Sequence, residues 1–358
     1  MKKLGIILAL LLVASVFVSG CASNNESKGN VSGNETPSIN ASGAQGASAI
    51  TELSFGYQPS THQIAYMTAA ENGWWKRDLA PYGVQNIKEY VFQTGPPEMQ
   101  AMMPGQLDVA YVGAAHAITA LSQGLDAKIV AAVQINGSSL VLSPEHEYKT
   151  PPDLKGLKIA TYPPGSIQDT LLRKWLKENG LDPEKDVTIV GMTSAGDAVT
   201  AIESGKVDAV FLPHPSPTNI EKAGKGRIIV QSGQMEPEHV CCVLLMSGKL
   251  IREHPDIAEQ IVKTHINATE YNKAHPDEAA QIFANKTSAD VETVKASLKE
   301  WDGEWITDPA QIENTTVDFS NTLYGLNYTQ KSLTKDDIFD TRFYDKAVSE
   351  NETAASAK

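Results

Sequence analysis

Cysteine is scarce: the 358 residues hold only Cys21, Cys241 and Cys242. Beyond Cys21, the only pairing on offer is between two neighbours, and no Cys/His spacing of a zinc site occurs. G-x-S-x-G, H-E-x-x-H and phosphate-loop patterns are all missing, and no Ser/His/Asp set has local support. No catalytic residue, metal ligand or cofactor is therefore expected. Positive charge is short as well. Lys plus Arg number 30 against 43 Asp plus Glu, a net charge of −13, which argues against a nucleic-acid partner and its basic face. Hydrophobic residues at 41% and charged ones at 20% are those of an ordinary soluble globule with real cores.

The start of the chain reads as a targeting signal. Lys2 and Lys3 precede the apolar run Leu4–Val18, and Val18-Ser19-Gly20-Cys21 follows. A basic start, a short apolar stretch and small residues mark residues 1–20 as a secretory signal peptide. Cys21 after the small residues resembles the lipid-bearing cysteine of a bacterial or archaeal lipobox. An uncleaved anchor helix is the other reading; both place the protein outside the cytoplasmic membrane. Residues 22–49 are almost free of large apolar side chains, so residues 21–50 are expected to be a flexible tether. Four N-x-S/T sequons start there at Asn25, Asn30, Asn34 and Asn40, and six more at Asn136, Asn267, Asn285, Asn314, Asn327 and Asn351. That density fits a glycosylated outer surface.

The rest is organised around one phrase said twice. Ala101–Gly113 and Ala201–Pro213 both read as a helix stopped by Gly (Gly105, Gly205), an apolar residue, an Asp (Asp108, Asp208) and an apolar strand. Gly suits the left-handed position that closes a helix, and the runs Val109–Val112 and Ala209–Leu212 look buried on both faces. Around each copy, strands alternate with loops and helices, which implies α/β architecture with parallel sheets. From Lys249 onward the pattern is mostly helical, with Trp301 and Trp305 as packing aromatics. Ligands of open α/β sheets sit beyond the carboxyl ends of the strands. Those ends are Gln58–Thr61, Thr94–Pro97, Gly113–Ala115, Tyr162–Ser166, Thr193–Gly196 and Pro213–Ser216. Each precedes a helix, so the six together offer a ring of helix N-termini with free N–H groups suited to an anion.

Gly56-Tyr57-Gln58, Leu79-Ala80-Pro81, Thr94-Gly95-Pro96, Gly105-x-Leu107-Asp108, Asp153-Leu154-Lys155-Gly156, Gly165-Ser166 and His239-Val240-Cys241-Cys242-Val243-Leu244 resemble the aliphatic sulfonate-binding proteins of ABC importers. The wider clan takes in taurine-, nitrate- and thiamine-precursor-binding proteins, along with pyrimidine synthases on the same fold. The resemblance covers about residues 51–300. It implies a type II periplasmic-binding-protein fold, two Rossmann-like lobes joined by a two-strand hinge with a ligand cleft between. Lobe one would take residues 51–143 plus 243–350 and lobe two 144–242, with hinge strands near Ser139–Ser143 and Val243–Met246. It also implies a monomeric, lipid-anchored binding protein, outside the membrane, that serves an ABC permease and ATPase.

None of the arginines (Arg77, Arg173, Arg227, Arg252, Arg342) falls in the six loops. That disfavours amino-acid ligands, whose carboxylate is usually clamped by a bidentate Arg. A sulfonate can be held by neutral donors alone. Candidate binding residues are Gln58, Thr61, His62, Thr94, Ser138, Ser139, Ser166, Thr193 and His214 through side chains, and Gly95, Gly113, Ala114 and Gly165 through backbone N–H. Tyr57, Tyr111 and Phe211 stand either around the organic tail or in the core. His62 and His214, one per lobe, stand either as donors whose pKa rises on meeting an anion or as helix-capping surface residues. His116, one turn into its helix, is set further from ligand. Members of the resembling family share the Cys241-Cys242 pair. Adjacent strand side chains point to opposite faces, so the pair is either two buried small residues or a disulfide in a strained turn.

Overall fold

A computed structural model describes residues 50–356; the leader, Cys21 and the four N-terminal sequons lie outside the described residues. Eleven strands occur in chain order: β1 Glu52–Tyr57, β2 Asn86–Val91, β3 Val109–Gly113, β4 Ala127–Ile135, β5 Ser138–Leu142, β6 Lys158–Thr161, β7 Thr188–Gly191, β8 Ala209–Pro213, β9 Arg227–Gln231, β10 Val240–Ser247 and β11 Glu304–Trp305. They form two sheets, β11-β4-β10-β3-β1-β2 and β7-β6-β8-β5-β9. Each sheet has three parallel strands in the order second, first, third, and then antiparallel ones. The fold is α/β, two lobes of the periplasmic-binding-protein type. The expected parallel sheets are in fact mixed. β5 and β10 each enter a sheet from the other lobe and so run against the strands already there.

The repeated phrase has a structural meaning. Gly105 and Gly205 close their helices at φ +81° and +66°. Asp108 Oδ2 accepts from the backbone N–H of Ser54 at 2.9 Å, and Asp208 Oδ2 from that of Lys158 at 2.8 Å. In both lobes the Asp before the third strand therefore ties down the start of the first. Removing either carboxylate leaves a strand N–H unpaired, a cost of about 1–3 kcal/mol. Burial on both faces is also as read: Leu140 and Phe211 pack into one cluster, Val141 and Val210 into another on the opposite face. The first sheet has the larger core, which takes in Phe55, Tyr57 and Tyr111. Among the described residues no helix is long and apolar enough to cross a membrane.

The crossings between sheets differ from the expected hinge. Ser138–Leu142 is already a strand of the second sheet and Val240–Ser247 already one of the first. The chain therefore crosses at Asn136–Gly137 and again between Gln231 and Val240, ahead of Ser139–Ser143 and Val243–Met246. A third segment pins both passages. Asp302 accepts from the N–H of Gly137 at 3.0 Å through Oδ1 and from that of Gly233 at 2.6 Å through Oδ2. The sequon at Asn136 falls here, and its Nδ2, the atom a glycan would occupy, donates to the Asp302 carbonyl at 3.3 Å.

Candidate functional site

The carboxyl ends of β1, β3, β6 and β8 meet the start of β10 around a small cavity between the sheets. The first lobe supplies Gln58, Ser60, His62, Gln63, Gly113, His116, Cys241 and Cys242, and the second Tyr162, Ser166, Ile167, Gln168 and Pro213. Two helices begin at this cavity, Ala114–Ser122 after Gly113 and Ile167–Glu178 after Ser166. Ser166 caps the second, its Oγ accepting from the N–H of Asp169 at 3.1 Å. His116 also lines an outer groove of about 290 Å³ beside Pro96, Met99, Met103, Ala120, Pro164 and Tyr328. Among the described residues lining either space there is no Lys or Arg. Burial pushes His116 down to about 4, so at neutral pH it offers a hydrogen bond and no charge.

Behind the cavity wall the polar groups fix one another. Glu98 is fully buried, which raises its carboxyl well above the usual range. Gln58 Nε2 donates to its Oε2 at 2.8 Å. Gln63 Oε1 accepts from the N–H of Gln58 at 2.7 Å. Burial, then the two nearby thiols, raises the Tyr162 hydroxyl and keeps it a neutral donor.

Cys241 and Cys242 are free thiols with sulfurs 3.8 Å apart. Both face the cavity because the ladder with β4 steps from Val240–Ile135 to Cys242–Gln134, leaving Cys241 as an extra, bulged residue. A bulge re-aims a side chain that a regular strand would send to the other face. His62 Nδ1 lies 3.3 Å from Cys241 Sγ and 4.0 Å from Cys242 Sγ, and its Nε2 donates to the Gly137 carbonyl at 2.8 Å. The hydrogen bond from Cys241 lowers the Cys242 thiol below its ordinary value, while that same bond and burial push the Cys241 thiol up.

Of the residues named from sequence, Gln58, His62, Gly113 and Ser166 line the inner cavity and Gly165 the outer groove. Gly95 packs against the His116 ring. Others stand away from both spaces. Thr193 follows β7, an outermost strand, which carries its loop away from the centre, whereas Thr94 is buried beside Gly95 and Pro96 without lining either space. Thr193 is exposed and donates to Asp197 at 2.8 Å. Ala114 is buried behind Gly113. Thr61 does not cap its helix; its hydroxyl donates to the His214 carbonyl at 2.7 Å. Ser138 accepts from Gln168 Nε2 at 3.0 Å, so it positions a lining residue instead of lining. His214 is neither at the cleft mouth nor free to meet an anion. It is fully buried, with Nε2 at 2.9 Å from Ser139 Oγ and Nδ1 at 2.7 Å from Ser297 Oγ. Tyr57, Tyr111 and Phe211 are core residues. Sequence reasoning missed the lining role of His116, although a residue three places after Gly113 returns to the same helix face. It also missed Gln63, Tyr162 and Gln168, which the same loops carry.

Relatives share this plan. The NMT1-like family profile matches residues 46–286. A Bacillus subtilis protein named for binding aliphatic sulfonates is 28% identical over 318 residues, 86% of this chain and 93% of its own. Among solved structures, the alkanesulfonate-binding protein of Xanthomonas axonopodis pv. citri superposes with a TM-score of 0.72 at 20% identity, over 82% of this chain and 99% of its own. The nitrate-binding protein of Synechocystis gives 0.72 at 18% identity, over 86% and 90%. The chain carries the two-lobed fold of these solved binding proteins and belongs to the NMT1-like family.

Proposed function

We propose that the protein captures a small organic oxyanion, a sulfonate or taurine-like molecule, between its lobes and delivers it to the permease and ATPase of an ABC importer. The observation that carries this reading is the two-part cleft. An inner cavity with amide, hydroxyl and helix N-terminal donors in its wall adjoins, across His116, a groove sided by Pro96, Met99, Met103 and Pro164. Such a space suits an acid head bound inside and an apolar tail outside. Nitrate has no tail to place there. Ligand that bridges both lobes stabilises a closed state, the form a permease selects. The role is binding, without turnover.

A calorimetric series from methanesulfonate to hexanesulfonate tests this. Each methylene laid in the groove is worth about 0.8 kcal/mol, so affinity is expected to rise roughly fourfold per carbon until the groove is full. Equal affinity along the series, or tighter binding of nitrate, would overturn it.

We further propose that the protein is a monomer held to the outer face of the membrane by lipid on Cys21, with glycosylated surface sequons. Cys21→Ser should then move the protein from the membrane to the soluble fraction and leave ligand affinity unchanged. Retention of the variant on membranes would instead assign the anchoring to the uncleaved leader.

A further inference from the structure

We propose that His62, Cys241 and Cys242 form a three-ligand site for a thiophilic metal ion of the zinc class, with its fourth corner turned to the inner cavity. Four observations converge on this. The first is spacing. Metal–sulfur and metal–nitrogen bonds of about 2.3 and 2.0–2.1 Å at tetrahedral angles set two sulfurs about 3.8 Å apart and sulfur and nitrogen about 3.6 Å apart. The chain has 3.8 Å between the sulfurs and 3.3 and 4.0 Å from them to His62 Nδ1.

The second is the tautomer. His62 Nε2 carries the proton it gives to the Gly137 carbonyl at 2.8 Å, which leaves Nδ1 with its lone pair facing the sulfurs. Metal-bound histidines are oriented in this way, the far N–H fixed on a carbonyl. The third is the bulge at Cys241, which brings two adjacent side chains to one side of a strand that would otherwise separate them. The fourth is access. All three residues line the cavity and are the one such group of His, Cys, Asp or Glu among the described residues. Three protein ligands with an open corner are the pattern of zinc sites that accept an outside ligand. Gln63 Nε2, 3.7 Å from Cys242 Sγ, supplies a donor to one sulfur.

Metal uptake displaces the two thiol protons to solvent. The ion and two thiolates then sum to zero charge, so the filled site is a neutral Lewis acid in the cleft wall. An anionic cargo in a cleft without Lys or Arg meets that acid at the open corner. The site stands whether or not the cargo is a sulfonate.

The test uses the full chain carrying Cys21→Ser, which leaves the two cleft thiols as its only cysteines. It is reduced, stripped of metal and titrated with cobalt(II), then with zinc(II). One cobalt per chain is expected, with thiolate-to-cobalt charge-transfer bands and a tetrahedral visible spectrum, both erased by one equivalent of zinc. Cys241→Ser and Cys242→Ser should each weaken cobalt binding by more than about a hundredfold. The double variant should lose the bands while its circular dichroism and thermal midpoint stay those of the parent. No charge-transfer band in the reduced parent, or bands that survive in the double variant, would overturn the site.

Discussion

Gly137→Ala is expected to destabilise the protein by about 2–5 kcal/mol. The residue sits at φ +84°, a region that costs a residue with a Cβ about 1–2 kcal/mol. The added methyl would meet the Gln134 amide, and would lie 3.0 Å from His62 Nε2 and 3.1 Å from Trp301 Cε3. Overpacking of that kind costs about 1–3 kcal/mol. Nothing here can yield cheaply. The Gly137 carbonyl accepts from His62 at 2.8 Å and from the N–H of His214 at 3.1 Å, while its own N–H donates to Asp302 at 3.0 Å. Against a total stability of about 5–15 kcal/mol the loss is severe. Gly180→Ala is the control, since Gly180 has φ +79° and no atom within 4 Å of the new methyl. It should show the backbone cost alone. Urea unfolding of the three proteins measures both, and equal losses at the two glycines would show that the crossing has room to spare.

A second large effect is loss of stability in mild acid. Burial, then repulsion from His62, pushes His214 down to about 3, and burial pushes His265 down to about 4. In the unfolded chain both return to about 6.5. Between those values the unfolded state binds protons that the fold refuses. The stabilising contribution is therefore whole above pH 6.5 and drains away as pH falls toward the folded values. Each histidine removes a little over about 1 kcal/mol per pH unit, so the pair takes about 4 kcal/mol between pH 6 and pH 4.5. Glu98, whose carboxyl burial raises, acts with the opposite sign, so the comparison is of slopes between parent and variant. His214→Gln and His265→Gln should each lower stability at pH 7 yet flatten its fall with pH by one histidine's share. Urea midpoints at pH 7, 6 and 5 report the slopes. A slope unchanged in His214→Gln would mean that this ring does not titrate in the window.

Local pattern explains what was legible. The bonds of Asp108 and Asp208 reach back 54 and 50 residues, so only their repetition is legible, while the Gly105 and Gly205 helix stops and the Ser166 cap depend on contacts within a turn. The sequence shows such contacts directly. Strand order is a different matter. β5 and β10 each leave the lobe whose strands precede them, and no residue of either advertises the exchange. Because of that exchange His214 lies beneath Ser139 and Ser297, and the expected hinge falls within the sheets. Loops after edge strands read like loops after central ones, which is why Thr193 looks as apt as Gln58. The thiol–imidazole cluster joins residues 179 positions apart and depends on one bulged residue. Strict alternation along β10 argues against it, and only the ladder with β4 shows where alternation fails.

Asp302 holds one N–H from each chain passage between the lobes on a single carboxylate. When two bodies turn against each other, displacement grows with distance from the axis and vanishes on it. Atoms where the two passages run side by side are close to any such axis, while residues far from it sweep the widest arc. Hydrogen bonds that had to rupture on every opening would add their strength to the barrier. Bonds at the pivot keep their length throughout and add nothing to it. Asp302 is thus placed as a rivet and not as a clasp: it resists the lobes' sliding or parting while leaving their rotation almost free.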